Sequence, residues 1–158
     1  MRHAIAEDAA GGDDGARRLT AAGRRKMKAA AAGLRALRVA PSVVVTSPLV
    51  RALETARIVV AALPRAPAVR ELPALAPDVA PVDTLKALRV FARNQDVMVV
   101  GHEPNLSRTI ALLLSGAVDG AAIELKKGAC AALELTALAP GGATLHWLLQ
   151  PRALRSIR

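Results

Sequence analysis

The chain has 158 residues, a length that one hydrophobic core can serve, and 53% of them are hydrophobic. Aromatics make up only 1%, Trp147 and Phe91, so the core must be built from Leu, Val, Ile and Ala, and stacking platforms for single-stranded nucleic acid are disfavoured. No apolar run approaches the roughly 18 residues of a membrane span, the early acids Glu7, Asp8, Asp13 and Asp14 argue against a signal peptide, and the single cysteine, Cys130, excludes an intramolecular disulfide or a cysteine metal cluster.

In chain order, Arg2-His3-Ala4 opens the sequence, and the polar stretch from Glu7 to Arg17 reads as a loop. Thr20 is placed to cap a long alanine-rich helix running to about Arg38, with Leu19 as a staple contact and Leu34 and Leu37 on its apolar face. Val43-Val44-Val45, between Pro41 and Pro48, predicts a buried parallel strand. Thr46-Ser47-Pro48 turns the chain into a second helix, about Leu49 to Leu63. Pro64 to Pro81 reads as an extended surface loop, and Thr84 to Ala92 as a helix. Val97-Met98-Val99-Val100 predicts a second strand that runs into Gly101-His102-Glu103-Pro104-Asn105. A helix from Leu106 to Ser115 is stopped by Gly116. Cys130 to Leu135 and Ala143 to Leu149 predict strands joined as a hairpin by Pro140-Gly141-Gly142.

This alternation implies an α/β fold in three layers, α/β/α, around a mostly parallel sheet, with residues 1–158 as one domain. In such sheets ligands bind beyond the C-terminal ends of the strands. The loops at Thr46-Ser47-Pro48 and Gly101-His102-Glu103 occupy such ends and single out Arg51 and His102. Together with Arg2 and His3 they make a chemically sufficient set. Two guanidinium groups can grip a phosphoryl group by charge-assisted hydrogen bonds. A neutral imidazole can attack phosphorus, and a second histidine can donate to its oxygens. No metal or other cofactor is required. Each residue taken alone also has a plain reading, as a polar terminus or a solvated helix arginine.

The surrounding motifs are more specific. Arg2-His3-Ala4, Leu19-Thr20-Ala21-Ala22-Gly23, Ser47-Pro48-Leu49-Val50-Arg51-Ala52-Leu53-Glu54-Thr55-Ala56 and Val99-Val100-Gly101-His102-Glu103-Pro104 occur in this order. They resemble the signature blocks of the histidine phosphatase superfamily, whose fold is phosphoglycerate mutase-like. The segment from Lys126-Lys127-Gly128 to Leu135 and the end around Trp147 resemble the small SixA-type phosphohistidine phosphatases. The resemblance implies that His3 is a phosphate-accepting nucleophile, that Arg2 and Arg51 bind the phosphoryl oxygens, and that His102 completes the pocket. Ser47 and Asn105 flank it, read here as turn and cap residues. It also implies a phosphatase that hydrolyses phosphohistidine on a phosphotransfer protein, with phosphate or another oxyanion in the site and a role in signal transduction, while the composition points to the cytoplasm.

Larger branches of the superfamily draw a proton-donating carboxylate from a mid-chain loop. Glu71 and Asp78 are the candidates here, and neither sits in a motif. A phosphohistidine substrate needs such an acid less, because its imidazole can leave already protonated near neutral pH. A small-metabolite phosphomonoesterase of the same superfamily and a non-catalytic phosphate- or nucleic-acid-binding relative are the competing readings. The net charge of +9 suits anionic partners, although biased composition explains it as well, and the only dense basic cluster is Arg24-Arg25-Lys26-Lys28. Nucleic acid and membrane are not the expected partners. His146, beside Trp147, is expected to be structural, and Cys130 a small buried residue.

The sequence departs from the family at one place. Members carry a strand of about five residues before the Arg-His pair, whereas here only Met1 precedes it. The first strand is therefore expected to be missing, the sheet to have a gap or close differently, and His3 to lie on a frayable end. Two explanations stand at this point: a start site upstream of Met1, or an impaired relative.

Overall fold

The computed structural model describes residues 1–9, 12–65, 67–91 and 96–158. Three parallel strands, β1 (Val43–Thr46), β2 (Ala68–Glu71) and β3 (Val97–Val100), form a sheet in the order β2-β1-β3. A second sheet is the antiparallel hairpin of β4 (Cys130–Leu135) and β5 (Ala143–Leu149). The helices are α1 (Ala21–Ala36), α2 (Val50–Ala62), α3 (Pro81–Leu88), α4 (Asn105–Ser115) and α5 (Pro151–Ser156).

The pleat of the sheet sorts its apolar residues into two cores. Val44, Met98 and Val100 point into a core with Met27, Ala30 and Leu34 of α1, Ala52, Ala56 and Val59 of α2, and Leu154 of α5. Val43 and Val45 point the other way and pack with Leu75 and Leu88, with Val97, Val99 and Phe91 against them. Leu85 of α3 meets Leu112 and Leu113 of α4 on that second face. Burial on both faces is why β1 and β3 are continuous apolar runs. The three-layer α/β/α architecture expected from the sequence is the observed one.

Several boundaries move for local reasons. α1 is capped by Thr20, whose Oγ1 accepts from the Gly23 amide at 2.9 Å. It ends at Ala36 and not near Arg38, because Arg38 adopts a left-handed φ of 58°, and Leu37 is left exposed. The stretch from Pro64 to Pro81 is not simply a loop. It contains β2, whose Ala68 to Glu71 pair in parallel with Val43 to Thr46, then a short 3-10 turn at Pro73–Leu75. β2 is a largely exposed edge strand with no apolar run, so its prolines hid it in the sequence. α3 starts at Pro81, three residues before the expected Thr84, and ends at Leu88; the expected end, Ala92, lies outside the described residues. The loop from Glu7 to Arg17 contains a 3-10 turn at Asp14–Ala16, and its Ala10 and Gly11 are also outside the described residues. α5 had no sequence signal strong enough to be read.

Where a gap in the sheet was expected, the backbone of Met1 to His3 makes bonds on both sides. Met1, Arg2 and His3 run between the end of β3 and the entry to β4. Arg2 forms a parallel bridge with Gly101, while its amide donates to Ala129 O at 3.0 Å. The Met1 ammonium donates to Val99 O at 2.7 Å. These residues link the end of β3 to the entry of β4.

Two glycines are set by close approach. A side chain at Gly23 would collide with the carbonyl of Ile5, and one at Gly33 with that of Leu154. The first contact seats α1 against the segment that follows His3, which gives the Leu-Thr-x-x-Gly block its physical reason. Gly23→Ala is expected to destabilise the fold by about 1–3 kcal/mol through this overpacking. Denaturant midpoints check it, and an unchanged midpoint would refute the contact.

Candidate active site

All four residues singled out by the sequence converge at the C-terminal end of the parallel sheet. His3 is 6% exposed. Its amide donates to Gly101 O at 3.0 Å, and its carbonyl accepts from Gly128 N at 3.0 Å. The expectation of a frayable His3 is thus overturned, because backbone bonds hold it from two sides. His3 Nδ1 lies 2.7 Å from the carbonyl of Ala4. A carbonyl can only accept, so Nδ1 carries the proton and the neutral ring has its lone pair on Nε2.

Arg51, in the first turn of α2, is 4% exposed. His102, directly after β3, is 2% exposed, and its ring centroid lies 4.9 Å from that of His3. His102 Nε2 meets Ser47 Oγ at 2.9 Å, and Ser47 Oγ also accepts from Leu49 N at 3.3 Å. Ser47 is therefore the turn residue expected, and also a direct contact of His102. Arg2 donates through Nη1 to Leu125 O at 2.8 Å. Arg2 Nε and His102 Nδ1 are buried with no hydrogen-bond partner among the described residues. Unsatisfied buried polar atoms of this kind are costly, and the Arg2 N–H, with His102 Nδ1 when it carries the proton, suits an oxyanion.

Thr55 ties the motif blocks together. Its hydroxyl donates to Arg51 O at 2.7 Å and accepts from Ala4 N at 3.0 Å. Glu54 beside it accepts from the Leu19 amide at 2.8 Å and pairs with Arg18 and Arg24. Burial pushes the Glu54 carboxyl up, but the Leu19 amide, Arg24 and Arg18 outweigh it and hold it below the usual range.

Asp14 was not identified as a site residue from the sequence, where it was one acid in a polar loop. Arg51 donates through Nη1 to Asp14 O at 2.6 Å and through Nη2 to Asp14 Oδ2 at 2.9 Å. Arg17 holds the other carboxylate oxygen at 2.8 Å. The Asp14 side chain is 53% exposed. The hydrogen bond from Arg17, with those from Arg51, lowers its pKa, so Asp14 is an ionised counter-charge in this geometry and not a proton donor. No local pattern marks it; only the fold brings it to Arg51, 37 residues away. Glu71, at the exposed end of β2, and Asp78 make no hydrogen bond or ion pair with any of the four residues. Asn105 is no cap: its amide nitrogen donates to Ala74 O and Ala76 O, and its oxygen accepts from Thr109, so it pins the 3-10 turn to α4. His146 pairs with Glu134 across the hairpin at 2.8 Å, and Cys130 is buried with its thiol pushed up by that burial.

The electrostatics keep both histidines neutral. Burial, then the electrostatic influence of the His102 ring and the charges of Arg51 and Arg2, lower His3 to about 3 against the opposing bond to Ala4. Burial, then Arg51 and Arg2, lower His102 to about 4, with Asp14 opposing.

Residues 1–76 match the model of the family described as Histidine phosphatase superfamily (branch 1). The protein histidine phosphatase SixA, solved with tungstate, superposes with a TM-score of 0.84 at 27% identity, over 98% of this chain and 96% of that one. Over its first 76 residues the chain is thus similar to the histidine phosphatase superfamily. A SixA phosphohistidine phosphatase candidate from Nakamurella multipartitia gives a TM-score of 0.78 at 29% identity, over 96% of this chain and 93% of that one. An alpha-ribazole-5'-P phosphatase candidate from Escherichia coli shares the fold with a TM-score of 0.74 at 20% identity, covering 96% of this chain and 94% of that one. Among curated proteins none matches in sequence. The superfamily fold, with its phosphoglycerate mutase-like layers, is thus the one the sequence resemblance implied.

Unfolded histidine titrates near 6.5, whereas folded His3 and His102 titrate near 3 and 4. Below pH 6.5 the unfolded chain binds protons that the folded site refuses, so stability falls as pH drops from about 6.5 towards 4, by up to about 1.4 kcal/mol per pH unit for each ring. Nuclear magnetic resonance of the rings is expected to show His3 and His102 unprotonated from pH 8 to 5, and a midpoint near 6.5 for either would refute this. Asp14→Asn frees Arg51 from a competing anion, so inorganic phosphate is expected to inhibit the variant at several-fold lower concentration. Weaker inhibition would show that Asp14 serves mainly to hold Arg51 in place.

Proposed function

We propose that the protein hydrolyses phosphohistidine on a phosphotransfer protein through a phosphohistidine intermediate at His3. The observation that carries this reading is the fixed tautomer of His3, with its Nε2 lone pair free in a site that holds Arg2, Arg51 and His102. In the first step Nε2 attacks phosphorus, the P–N bond of the substrate breaks, and the substrate imidazole leaves with a proton from solvent. In the second step water attacks phosphorus, the P–N bond to His3 breaks, and inorganic phosphate departs. Arg2 and Arg51 bind the phosphoryl oxygens. With Ser47 donating to His102 Nε2, the buried Nδ1–H of His102 is left to donate to a phosphoryl oxygen.

The state of the carboxylates supports an imidazole leaving group over an alcohol. Asp14, the acid in contact with Arg51, is held ionised, and both histidines are neutral. An alkoxide would need a proton donor that this set does not supply. The likeness to SixA, solved with an oxyanion of tungsten, agrees with an oxyanion in this site. We read residues 1–158 as one catalytic domain, since that likeness spans 98% of the chain. We assign it to the cytoplasm and to phosphotransfer signalling; no helix among the described residues is long and apolar enough to cross a membrane.

Phosphate release from a phosphohistidine-bearing carrier protein, beside a panel of small phosphate esters, tests the proposal. Release is expected with the phosphoprotein, and His3→Ala is expected to lower it at least a thousandfold while folding normally. Preference for an ester would move the function to a metabolite phosphomonoesterase. Absence of release from folded protein would leave an anion-binding domain.

A further inference from the structure

A second concave surface lies beside the site. It is a cleft of about 400 Å³ where α1, the loop before β4 and α5 converge. Its basic lining is Lys26 from α1, Lys126 and Lys127 from the loop, Arg152 and Arg155 from α5, and Arg2. No acidic side chain lines it. Among the described residues only Lys126 has a carboxylate within ion-pair range, an exposed Glu124 at 3.7 Å, and Lys26, Lys127, Arg152 and Arg155 form no ion pair. Like charges gathered from three segments repel one another, and nothing in the packing of the cleft compensates them.

The cleft abuts the site through the backbone and through one charge. Gly128, which lines it, donates its amide to the carbonyls of Arg2 and His3. Arg2 lines it too, and its charge acts on both His3 and His102. Of the four site residues Arg2 alone lines the cleft, so a partner seated here would lie against the arginine that the site also uses. Neither Phe91 nor Trp147 lines the cleft, so it has no aromatic platform for a nucleic-acid base. Exposed, unpaired lysine and arginine heads at a rim act mainly by steering an oppositely charged partner.

We propose that this cleft docks a carboxylate-rich face of the phosphorylated carrier protein beside its phosphohistidine. The inference rests on the phosphohistidine reading above and adds the chemistry of the partner surface. Docking occurs through Lys26, Lys127 and Arg152, outside the phosphate pocket, so it governs encounter with a protein substrate and leaves the chemistry of a small one untouched.

The experiment compares wild type, a Lys26→Glu/Lys127→Glu/Arg152→Glu variant and a milder Lys127→Ala/Arg152→Ala variant. A control, Arg70→Glu/Arg89→Glu, changes net charge at exposed positions away from the cleft. Each is assayed on the phosphohistidine carrier protein and on free phosphohistidine, at low and high salt. The expected result is a KM for the carrier raised about tenfold or more in the triple variant, in the same direction in the milder one. The kcat stays unchanged, free phosphohistidine is hydrolysed normally, and the difference shrinks in high salt. Equal carrier kinetics in wild type and both variants overturns the proposal. So does an equal effect from the control, or loss on both substrates alike. A wild type that competes for single-stranded DNA better than for the carrier, through these residues, overturns it in favour of nucleic acid. Failure of wild type to hydrolyse either phosphohistidine substrate sinks the catalytic reading itself, a result distinct from all of these.

Discussion

His3 is seated by hydrogen bonds from two directions, and the rest of the site is arranged around that seat. Gly101 receives its amide, Gly128 donates to its carbonyl, and its own neighbour Ala4 fixes the ring through Nδ1. Functional groups have to be held to within about half an ångström, which demands rigid support for both backbone and rotamer. Here that support comes from the end of a parallel strand, a loop before a hairpin and a threonine on α2. The Ile5 carbonyl, two residues on from His3, is held against α1 at a position where only a glycine fits.

The second constraint is charge. Two guanidinium groups stand next to two imidazoles in a largely dry site, and burying like charges together is expensive. The site resolves this by keeping the imidazoles neutral. Burial and the arginines both push in that direction, and the same push leaves a lone pair on His3 at neutral pH. Arg51 is balanced by Asp14 from a distant loop. Exposed on one side, that carboxylate can be displaced towards solvent more cheaply than a buried one, which leaves Arg51 open to another anion.

The hydrogen-bond network links blocks that are far apart in the chain. Thr55 connects the Arg-His opening to the helix that carries Arg51, and Glu54 connects that helix to the entry of α1. The Ser-Pro-x-x-Arg-Ala-x-x-Thr-Ala block thus contains a phosphate ligand candidate and the two residues that hold it to the rest of the site. Loss of either would leave a buried donor or acceptor unpaired, the costly half of hydrogen-bond energetics.

The layer architecture, the strands β1, β3, β4 and β5, and the convergence of Arg2, His3, Arg51 and His102 on one strand end were legible before the chain was seen folded. These signals are local: apolar runs of strand length, a capping threonine, a stop glycine, and motifs whose spacing survives in one dimension. What depends on distant segments meeting emerges only in the folded chain. The edge strand β2 has little apolar surface of its own and exists because β1 offers it backbone partners. Asp14 becomes part of the site because a loop folds back over α2, and the cationic cleft forms because α1, α5 and one loop bring lysines and arginines together that are scattered along the chain. The same holds for His3, whose place at the chain's start suggested fraying. Its order comes from Gly101 and Gly128, bonds between residues some hundred positions apart that no local pattern encodes.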